Sequence, residues 1–295
     1  MKKVNLYLMT HKGFNVLDFL LQSSYAACIK SVIFEKDENI LDDASDKIIE
    51  LCQKENIPCF NRKDKNIPHA DYQIAISWRW LISDIKNLIV LHDSLLPKYR
   101  GFAPLVNMLI NGEKKIGVTA IFASDEYDKG PIIKQSYTEI EYPIKIYEAI
   151  QIVSTNYIEV IDFIFSKICK DEEIKGIKQN ENEATYSLWR DEMDYWIDWH
   201  QSAEKIRNFV NAVSFPYKFA SSMMNNTHIK IHEVEMVDDV QIENRMENIG
   251  KVIFFKDNKP VVVCGKGLIK INEMRNLDGE IISLKKFRTR FYSGK

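Results

Sequence analysis

Two polar residues, His92 and Asp128, each follow an apolar run that could form a strand, and an open sheet could bring their side chains together for proton transfer. His92 directly follows an apolar run, residues 88–91, and Asp128 lies in the acidic loop after a second run, residues 117–123. An imidazole beside a carboxylate can take and return a proton near neutral pH, with the carboxylate orienting the ring. Either residue alone is more often structural. If the acidic loop folds back to His92, the two form an acid–base pair.

The loop after His92 is apolar and prone to turn. Residues 94–97 read SLLP, and Gly101 follows, where the backbone can approach a neighbour closely. Two leucines at the edge of a sheet are unfavourable unless something covers them. Ligands of open α/β sheets bind beyond the carboxyl ends of the strands. The sequence therefore predicts a ligand site around this loop.

The first half of the chain alternates short apolar runs with amphipathic stretches. Dense apolar runs are typical of strands buried on both faces of a parallel sheet. This alternation predicts an α/β fold with an open, Rossmann-like, parallel-rich sheet. The predicted strands are residues 4–9, 29–34, 57–60, 72–78, 88–91 and 117–123, and the predicted helices are residues 14–21, 44–55 and 144–167.

The second half has a different pattern. A charged stretch, residues 170–183, favours a linker or a surface hairpin, because it can bury little apolar surface. After it come one amphipathic helix, residues 203–213, and then short strand candidates at residues 227–234, 250–255, 260–263 and 267–273. We predict a catalytic domain at 1–185 and a β-rich, small-barrel (OB-like) auxiliary domain at 186–295.

Composition excludes several classes of protein. The 295 residues carry a net charge of −2, and residues 191–295 contain 16 basic and 15 acidic side chains, so the charge does not favour a nucleic acid partner. No apolar run approaches the ~18 residues that cross a bilayer, and the first residues resemble a strand rather than a secretory signal. We expect no membrane partner and a cytoplasmic location.

Cysteine and glycine usage narrows the choice further. The five cysteines are an odd number and none are spaced as CxxC, which favours reduced thiols and offers no metal-ligand pattern. No glycine lies between Gly13 and Gly101. The first ~100 residues therefore lack the glycine motifs of dinucleotide and P-loop sites.

The motifs around His92 and Asp128 resemble the folate-dependent formyltransferases. This family includes the phosphoribosylglycinamide, methionyl-tRNA and nucleotide-sugar amine enzymes. The resemblance lies in SLLPKYRG beside His92 and in DEYDKGPII about 36 residues later, and it extends over residues 1–190. IDWHQSAEKIRNFVNAVSFPY, in the second half, resembles more loosely the C-terminal domain of the tRNA and sugar members. The resemblance places His92 and Asp128 at the catalytic positions.

The resemblance implies 10-formyltetrahydrofolate as co-substrate and no metal. It implies contacts to the folate from the segment after the strand at 72–78, from the SLLP loop and from the acidic loop, namely Trp78, Arg79, Leu81, Leu95, Leu96, Pro97, Ser124, Asp125 and Tyr127. Contacts to the acceptor are expected from the residues after the first strand and after the SLLP loop, namely Thr10, His11, Lys12, Ser94, Tyr99, Arg100 and Gly101.

One position departs from the family pattern. The family has an asparagine two residues before the histidine, where this chain has Val90. In the family that amide stabilises the oxyanion that forms when an amine attacks the formyl carbon, and loss of one such donor typically costs 10²–10³-fold in rate. Either another donor, such as protonated His92 or a backbone N–H, replaces it, or the chain is slow or degenerate.

Three hypotheses for function remain open. The first is formylation of an amino sugar on a nucleotide, a step in making cell-surface glycan precursors; its small-molecule substrate fits the near-neutral charge. The second is formylation of methionyl-tRNA, which predicts a basic surface. The third is a low-activity or degenerate homologue. The C-terminal strands also offer edges that could pair in a homodimer.

Overall fold

The first sheet has seven strands and is mostly parallel. In a computed structural model, which describes residues 1–38 and 40–294, the strand order is β3-β2-β1-β4-β5-β7-β8. The five strands from β3 to β5 run parallel, and β7 and β8 are antiparallel to their neighbours. The strands are β1 Val4–Leu8, β2 Ile29–Phe34, β3 Cys59–Asn61, β4 Tyr72–Ile76, β5 Leu88–His92, β7 Lys115–Phe122 and β8 Ile132–Glu139. The predicted parallel-rich α/β sheet is confirmed.

The central strands are buried on both faces, which explains why the sequence pattern predicts them. All five residues of β1 and all five of β4 are buried, as a sheet covered on both faces requires. Helix α1 Thr10–Leu21 connects β1 to β2, and α2 Ser45–Lys54 connects β2 to β3. Helix α3 Pro104–Ile110 precedes β7, and α4 Ile146–Cys169 follows β8. Helix α1 begins directly after β1, four residues earlier than the periodicity predicts, so Thr10, His11 and Lys12 form its first turn.

The antiparallel strands change the geometry of the predicted site. In the pairing of β5 with β7, Ile89 lies opposite Phe122 and His92 lies opposite Thr119. Strand β7 therefore ends beside the start of β5. The acidic loop that follows must run back along β5 before Asp128 can reach His92.

A six-stranded antiparallel sheet dominates the second half of the chain. Its order is β12-β13-β14-β11-β10-β15, and α5 Ala203–Ala212 and the short α6 Arg245–Asn248 accompany it. The strands are β10 Ala220–Met224, β11 Thr227–Val237, β12 Val252–Lys256, β13 Lys259–Val263, β14 Leu268–Arg275 and β15 Phe291–Tyr292. The amide of Phe291 donates to the carbonyl of Gly250 at 2.7 Å, which links the two outer strands. The predicted barrel-like β domain is thus confirmed.

The chain forms two compact units. One comprises Met1–Leu105, Lys115–Ile140 and Ala149–Leu188, and the other comprises Val106–Lys114, Glu141–Glu148 and Trp189–Lys295. Two short strands, β6 Arg100–Gly101 and β9 Tyr186–Ser187, pair in parallel within the first unit. No helix in the described part of the chain is long and apolar enough to span a bilayer.

Candidate active site

His92 and Asp128 face each other within the first unit. Nδ1 of His92 lies 3.6 Å from Oδ1 of Asp128, and both side chains are largely buried. Oδ2 of Asp128 accepts a hydrogen bond of 2.7 Å from the amide of Gly101. One carboxylate oxygen is therefore held by the backbone, and the other faces the imidazole. Catalytic hydrogen bonds are often this long without substrate and tighten when substrate binds.

The second ring nitrogen of His92 is fixed by a carbonyl group. Nε2 lies 2.7 Å from the carbonyl oxygen of Tyr99, and since a carbonyl only accepts, Nε2 carries a proton. In the neutral ring Nδ1 is then the lone-pair nitrogen, facing Asp128. A proton between Nδ1 and Oδ1 can be held by either group, which is the arrangement that acid–base catalysis requires.

Strained backbone brings these groups together. Asp128 and Tyr99 both have left-handed conformations, with φ of 55° and 59°, which non-glycine residues adopt only where the surroundings hold them. Gly101 has φ of 99°, and a Cβ there would lie 2.4 Å from the carbonyl oxygen of Ser187. Only glycine therefore fits at 101, and its amide remains free to hold Asp128.

A hydrogen-bonded scaffold fixes the loop that follows His92. The hydroxyl of Thr119, on β7, donates to the carbonyl of Ser94 and accepts from the amide of Leu96. The side-chain amide of Gln135, on β8, donates to the carbonyl of Leu96 at 2.8 Å. The hydroxyl of Ser94 donates to the carbonyl of Lys98. Side chains of the two antiparallel strands, β7 and β8, thus hold the SLLP loop in place.

A buried ionic cluster lies beside His92. Lys12, in the first turn of α1, forms an ion pair with Asp93, and the hydroxyl of Tyr157 donates to the same carboxylate at 2.5 Å. Burial and the Asp93 carboxylate raise the pKa of Tyr157 well above its usual value. The ammonium of Lys12, predicted to contact the acceptor, is thus bound to Asp93 in this structure.

We expect Lys12→Met to destabilise the fold. Removing one partner of a buried ion pair leaves the other charge unpaired, which costs about 3 kcal/mol or more. For a unit of this size that corresponds to a fall in Tm of roughly 6–12 °C. Lys47→Met, at an exposed position of α2, is the matched control and should leave Tm unchanged. An unchanged Tm in Lys12→Met, measured by calorimetry, would contradict the structural role assigned to this pair.

Trp78 borders the same face of the sheet as His92. Trp78 and Val90 pack against a cluster that includes Tyr7 and Ala75, and the indole meets the ring of Tyr7 edge-on at 5.2 Å. Alternation along β5 places Val90 and His92 on one face. The indole Nε1 of Trp78 is buried without a hydrogen-bond partner among the described residues. A buried donor of this kind is suited to an acceptor group on a ligand.

The remaining predicted residues lie in varied surroundings. Arg79 pairs with Asp37 at 2.5 Å, and His11 pairs with Asp42 at 2.9 Å. The hydroxyl of Thr10 accepts a long hydrogen bond from the amide of Lys12, and the hydroxyl of Ser124 donates within its own loop. Three of the predicted folate contacts are exposed, Leu81, Asp125 and Tyr127, and a fourth, Leu95, is half-buried. Leu96 is buried, and Pro97 accepts from the amide of Thr185.

Sequence patterns did not identify one segment whose hydrogen bonds support the candidate site. Residues 170–183, predicted to be a linker or hairpin, instead pair with the first sheet through a bridge between Ile132 and Ile177. Gln179 and Glu181 in this segment bond to the buried guanidinium of Arg100. A polar, charged stretch gives no periodic signal for such a role. Asp93, by contrast, could have been noticed as a charge directly after a buried strand.

The described residues contain no cluster of three or more His, Cys, Asp or Glu side chains arranged to hold a metal ion. The groups that the structure brings together at the site are an imidazole, a carboxylate, backbone donors and an apolar border. Such a set can move protons and bind an apolar ring.

Comparison with known proteins identifies two families along the chain. Residues 69–149 match the family described as formyl transferase, and residues 191–291 match the formyl transferase C-terminal domain. Methionyl-tRNA formyltransferase of Borrelia duttonii (strain Ly) is 30% identical over 200 residues, which cover 68% of this chain. The chain spans 63% of the length of that curated relative.

Solved structures share the fold over most of the chain. An N-formyltransferase from Helicobacter canadensis, crystallised with folinic acid and dTDP-3-aminofucose, superposes with a TM-score of 0.68 and 17% identity, covering 92% of this chain and 99% of that one. Methionyl-tRNA formyltransferase from Clostridium thermocellum superposes with a TM-score of 0.56 and 19% identity, covering 80% and 94%. At these identities the superpositions describe the fold alone.

Proposed function

Since the chain belongs to the formyl transferase family, we propose that it transfers the formyl group of 10-formyltetrahydrofolate to the amine of a nucleotide-linked amino sugar. The observation that carries this proposal is the approach of Nδ1 of His92 to Oδ1 of Asp128 at 3.6 Å. This pair lies in the part of the chain that matches the formyl transferase family.

The pair accounts for the proton transfers of the reaction. The folate supplies the formyl carbon, to which the acceptor nitrogen bonds as the bond from that carbon to the folate nitrogen breaks. The acceptor nitrogen loses a proton and the folate nitrogen gains one. Asp128 and His92, directly or through a water, take the first proton and return the second. Binding both substrates in one cleft removes much of the entropic barrier.

Two features of the site suit a folate. The buried indole N–H of Trp78 is a donor that a ring heteroatom or carbonyl can satisfy. Leu95 and Pro97, in the loop after His92, are half-buried and offer apolar surface to a ring. Trp78, Leu95 and Pro97 would hold the folate, and the acidic loop 124–127 would approach it from the other side.

The choice of a sugar acceptor rests on charge and on the ligand of one protein with the same fold. Residues 191–295 carry 16 basic and 15 acidic side chains, which offers little net attraction to the phosphates of a tRNA. One structure of the same fold was crystallised with dTDP-3-aminofucose, so this fold can hold a nucleotide-linked amino sugar. The acceptor we propose is a small molecule of the kind used to build cell-surface glycans, handled in the cytoplasm.

Methionyl-tRNA is the second candidate acceptor, because the curated relative with 30% identity carries that name. The two candidates are separated by incubating the protein with 10-formyltetrahydrofolate and either a panel of nucleotide-linked 3- and 4-amino sugars or methionyl-tRNA. Mass spectrometry should find one added formyl group on a sugar. Formylation of methionyl-tRNA alone would overturn the sugar assignment, and formylation of neither would overturn the proposed transfer.

A further inference from the structure

Gln179 has an unusually complete set of hydrogen bonds for a residue in a polar segment. Its side chain is buried, with 5% of its surface exposed. The Nε2 amide donates to the carbonyl oxygens of Asp128 and Gly130, at 2.7 and 2.8 Å. The Oε1 oxygen accepts from Nε and Nη2 of Arg100, at 3.1 and 2.8 Å. Both protons and both lone pairs of the carboxamide are thus used.

The partners leave only one orientation for this side chain. A guanidinium can only donate and backbone carbonyls can only accept, so Oε1 must face Arg100 and Nε2 must face the two carbonyls. Arg100 is fully buried and also bonds to Glu181, whose carboxylate raises the pKa of the guanidinium. The anchor for Gln179 is therefore itself fixed.

The two carbonyls bound by Nε2 belong to Asp128 itself and to Gly130, at the end of the turn that presents the Asp128 carboxylate. This turn is strained at Asp128, where φ is 55°, and tightly packed at Gly130, where a Cβ would lie 1.6 Å from the carbonyl oxygen of Phe122. A left-handed conformation at a non-glycine residue persists only where surrounding contacts maintain it. Gln179 provides two of those contacts.

The Oε1 oxygen of Gln179 binds Arg100, which is the residue before the one that holds the Asp128 carboxylate. Arg100 directly precedes Gly101, and the amide of Gly101 donates to Oδ2 of Asp128. One side chain therefore connects the turn that carries the carboxylate to the strand that orients it.

We propose that Gln179 is a positioning residue for formyl transfer: its carboxamide locks the turn at Asp128 to Arg100 and Gly101 and so holds the carboxylate opposite Nδ1 of His92. This inference rests on the proposed function of the pair, but the placement of Asp128 can be measured without turnover. Misplacement of a catalytic group by about 1 Å typically costs about 10²-fold in rate.

Gln179→Glu is the sharpest test, because it keeps the size of the side chain and the acceptor for Arg100. The substituted carboxylate meets the carbonyl oxygens of Asp128 and Gly130 with no proton to donate, so the turn loses both contacts. Asn156→Asp makes the same amide-to-carboxylate change at a buried position of the same unit. The partners of Asn156 are the hydroxyls of Ser136 and Thr138. The Thr138 hydroxyl already donates to Oδ1 of Asn156, and the Ser136 hydroxyl, which donates to Glu159, can turn to the new carboxylate.

Two readouts decide the proposal. In Gln179→Glu the kcat should fall about 10²-fold while the KM for 10-formyltetrahydrofolate changes less than about threefold. Hydrogen exchange at the amide of Gly101 should become at least about tenfold faster, since its bond to Asp128 is released. Asn156→Asp should change neither, whatever its melting temperature.

Three outcomes would overturn the proposal: unchanged Gly101 exchange in Gln179→Glu, faster exchange with unchanged kcat, or equal losses in Asn156→Asp. If the wild-type chain formylates no acceptor, the proposed function fails. The exchange measurement remains informative in that case. Unchanged exchange at Gly101 in Gln179→Glu would show that Gln179 does not position Asp128. Faster exchange would show that Gln179 positions Asp128, whichever reaction His92 and Asp128 catalyse.

Discussion

Asp128→Asn is expected to reduce kcat for formyl transfer by about 10²-fold or more, with the fold intact. The asparagine Oδ1 can still accept the hydrogen bond from the amide of Gly101, so the turn keeps its anchor. The amide nitrogen that then faces Nδ1 of His92 cannot take up a proton. The substitution thus removes proton transfer while preserving shape. Steady-state kinetics with the identified acceptor measures the loss.

The matched control for this variant is Asp46→Asn. Asp46 is an exposed carboxylate in the first turn of α2, and its replacement should leave kcat unchanged. Calorimetry on both variants separates a catalytic loss from unfolding. If Asp128→Asn turns over like the wild type, Asp128 has no part in the chemistry.

Val90→Asn is expected to raise kcat, by up to about 10²-fold. Val90 lies two residues before His92 on β5, so alternation along the strand points both side chains to one face. An amide at this position can donate to the negative charge that develops on the formyl oxygen, which valine cannot do. Loss of one such donor in other enzymes costs 10²–10³-fold, which sets the scale of the gain.

Val90→Leu is the control for changes in packing. Leucine has a branched shape similar to asparagine but no donor, and Val90 packs against a cluster containing Tyr7 and Ala75. We expect kcat of Val90→Leu to stay near or below that of the wild type. An equal kcat in Val90→Asn and wild type would show that another group already stabilises the oxygen, and that the valine does not limit the rate.

The central strands could be predicted because strands buried on both faces consist mostly of apolar residues. The runs at β1 and β4 are mostly apolar and are buried at every position, as a strand covered on both faces requires. His92 could be placed at the edge of the sheet for the same reason, since it ends such a run. The fold of the first half and the location of the candidate site followed from these strands.

Other features depend on contacts between distant residues that leave no local pattern. Strand β8 is only partly buried and alternates weakly, so its antiparallel pairing with β7 was not predicted. The return of the acidic loop along β5 follows from that pairing. Gln179 lies in a charged stretch that reads as a linker, and its role arises only from its bonds to Arg100 and the turn at Asp128.

Lys12 illustrates a limit of residue type as a guide to function. A lysine after the first strand suggests a contact to an anionic acceptor, but its ammonium is bound to Asp93. The partner lies 81 positions away in the sequence, and only the parallel pairing of β1, β4 and β5 brings the two together. Sequence spacing alone does not encode such a pair.

The most direct test of the central claim is a double-mutant cycle on single-turnover formyl transfer, using His92→Asn, Asp128→Asn and the variant with both changes. Residues that act as one unit give losses that do not multiply. If His92 and Asp128 share one proton, the double variant should be no slower than the slower single variant. Losses that multiply in the double variant would show that the two side chains act independently, which would contradict the account.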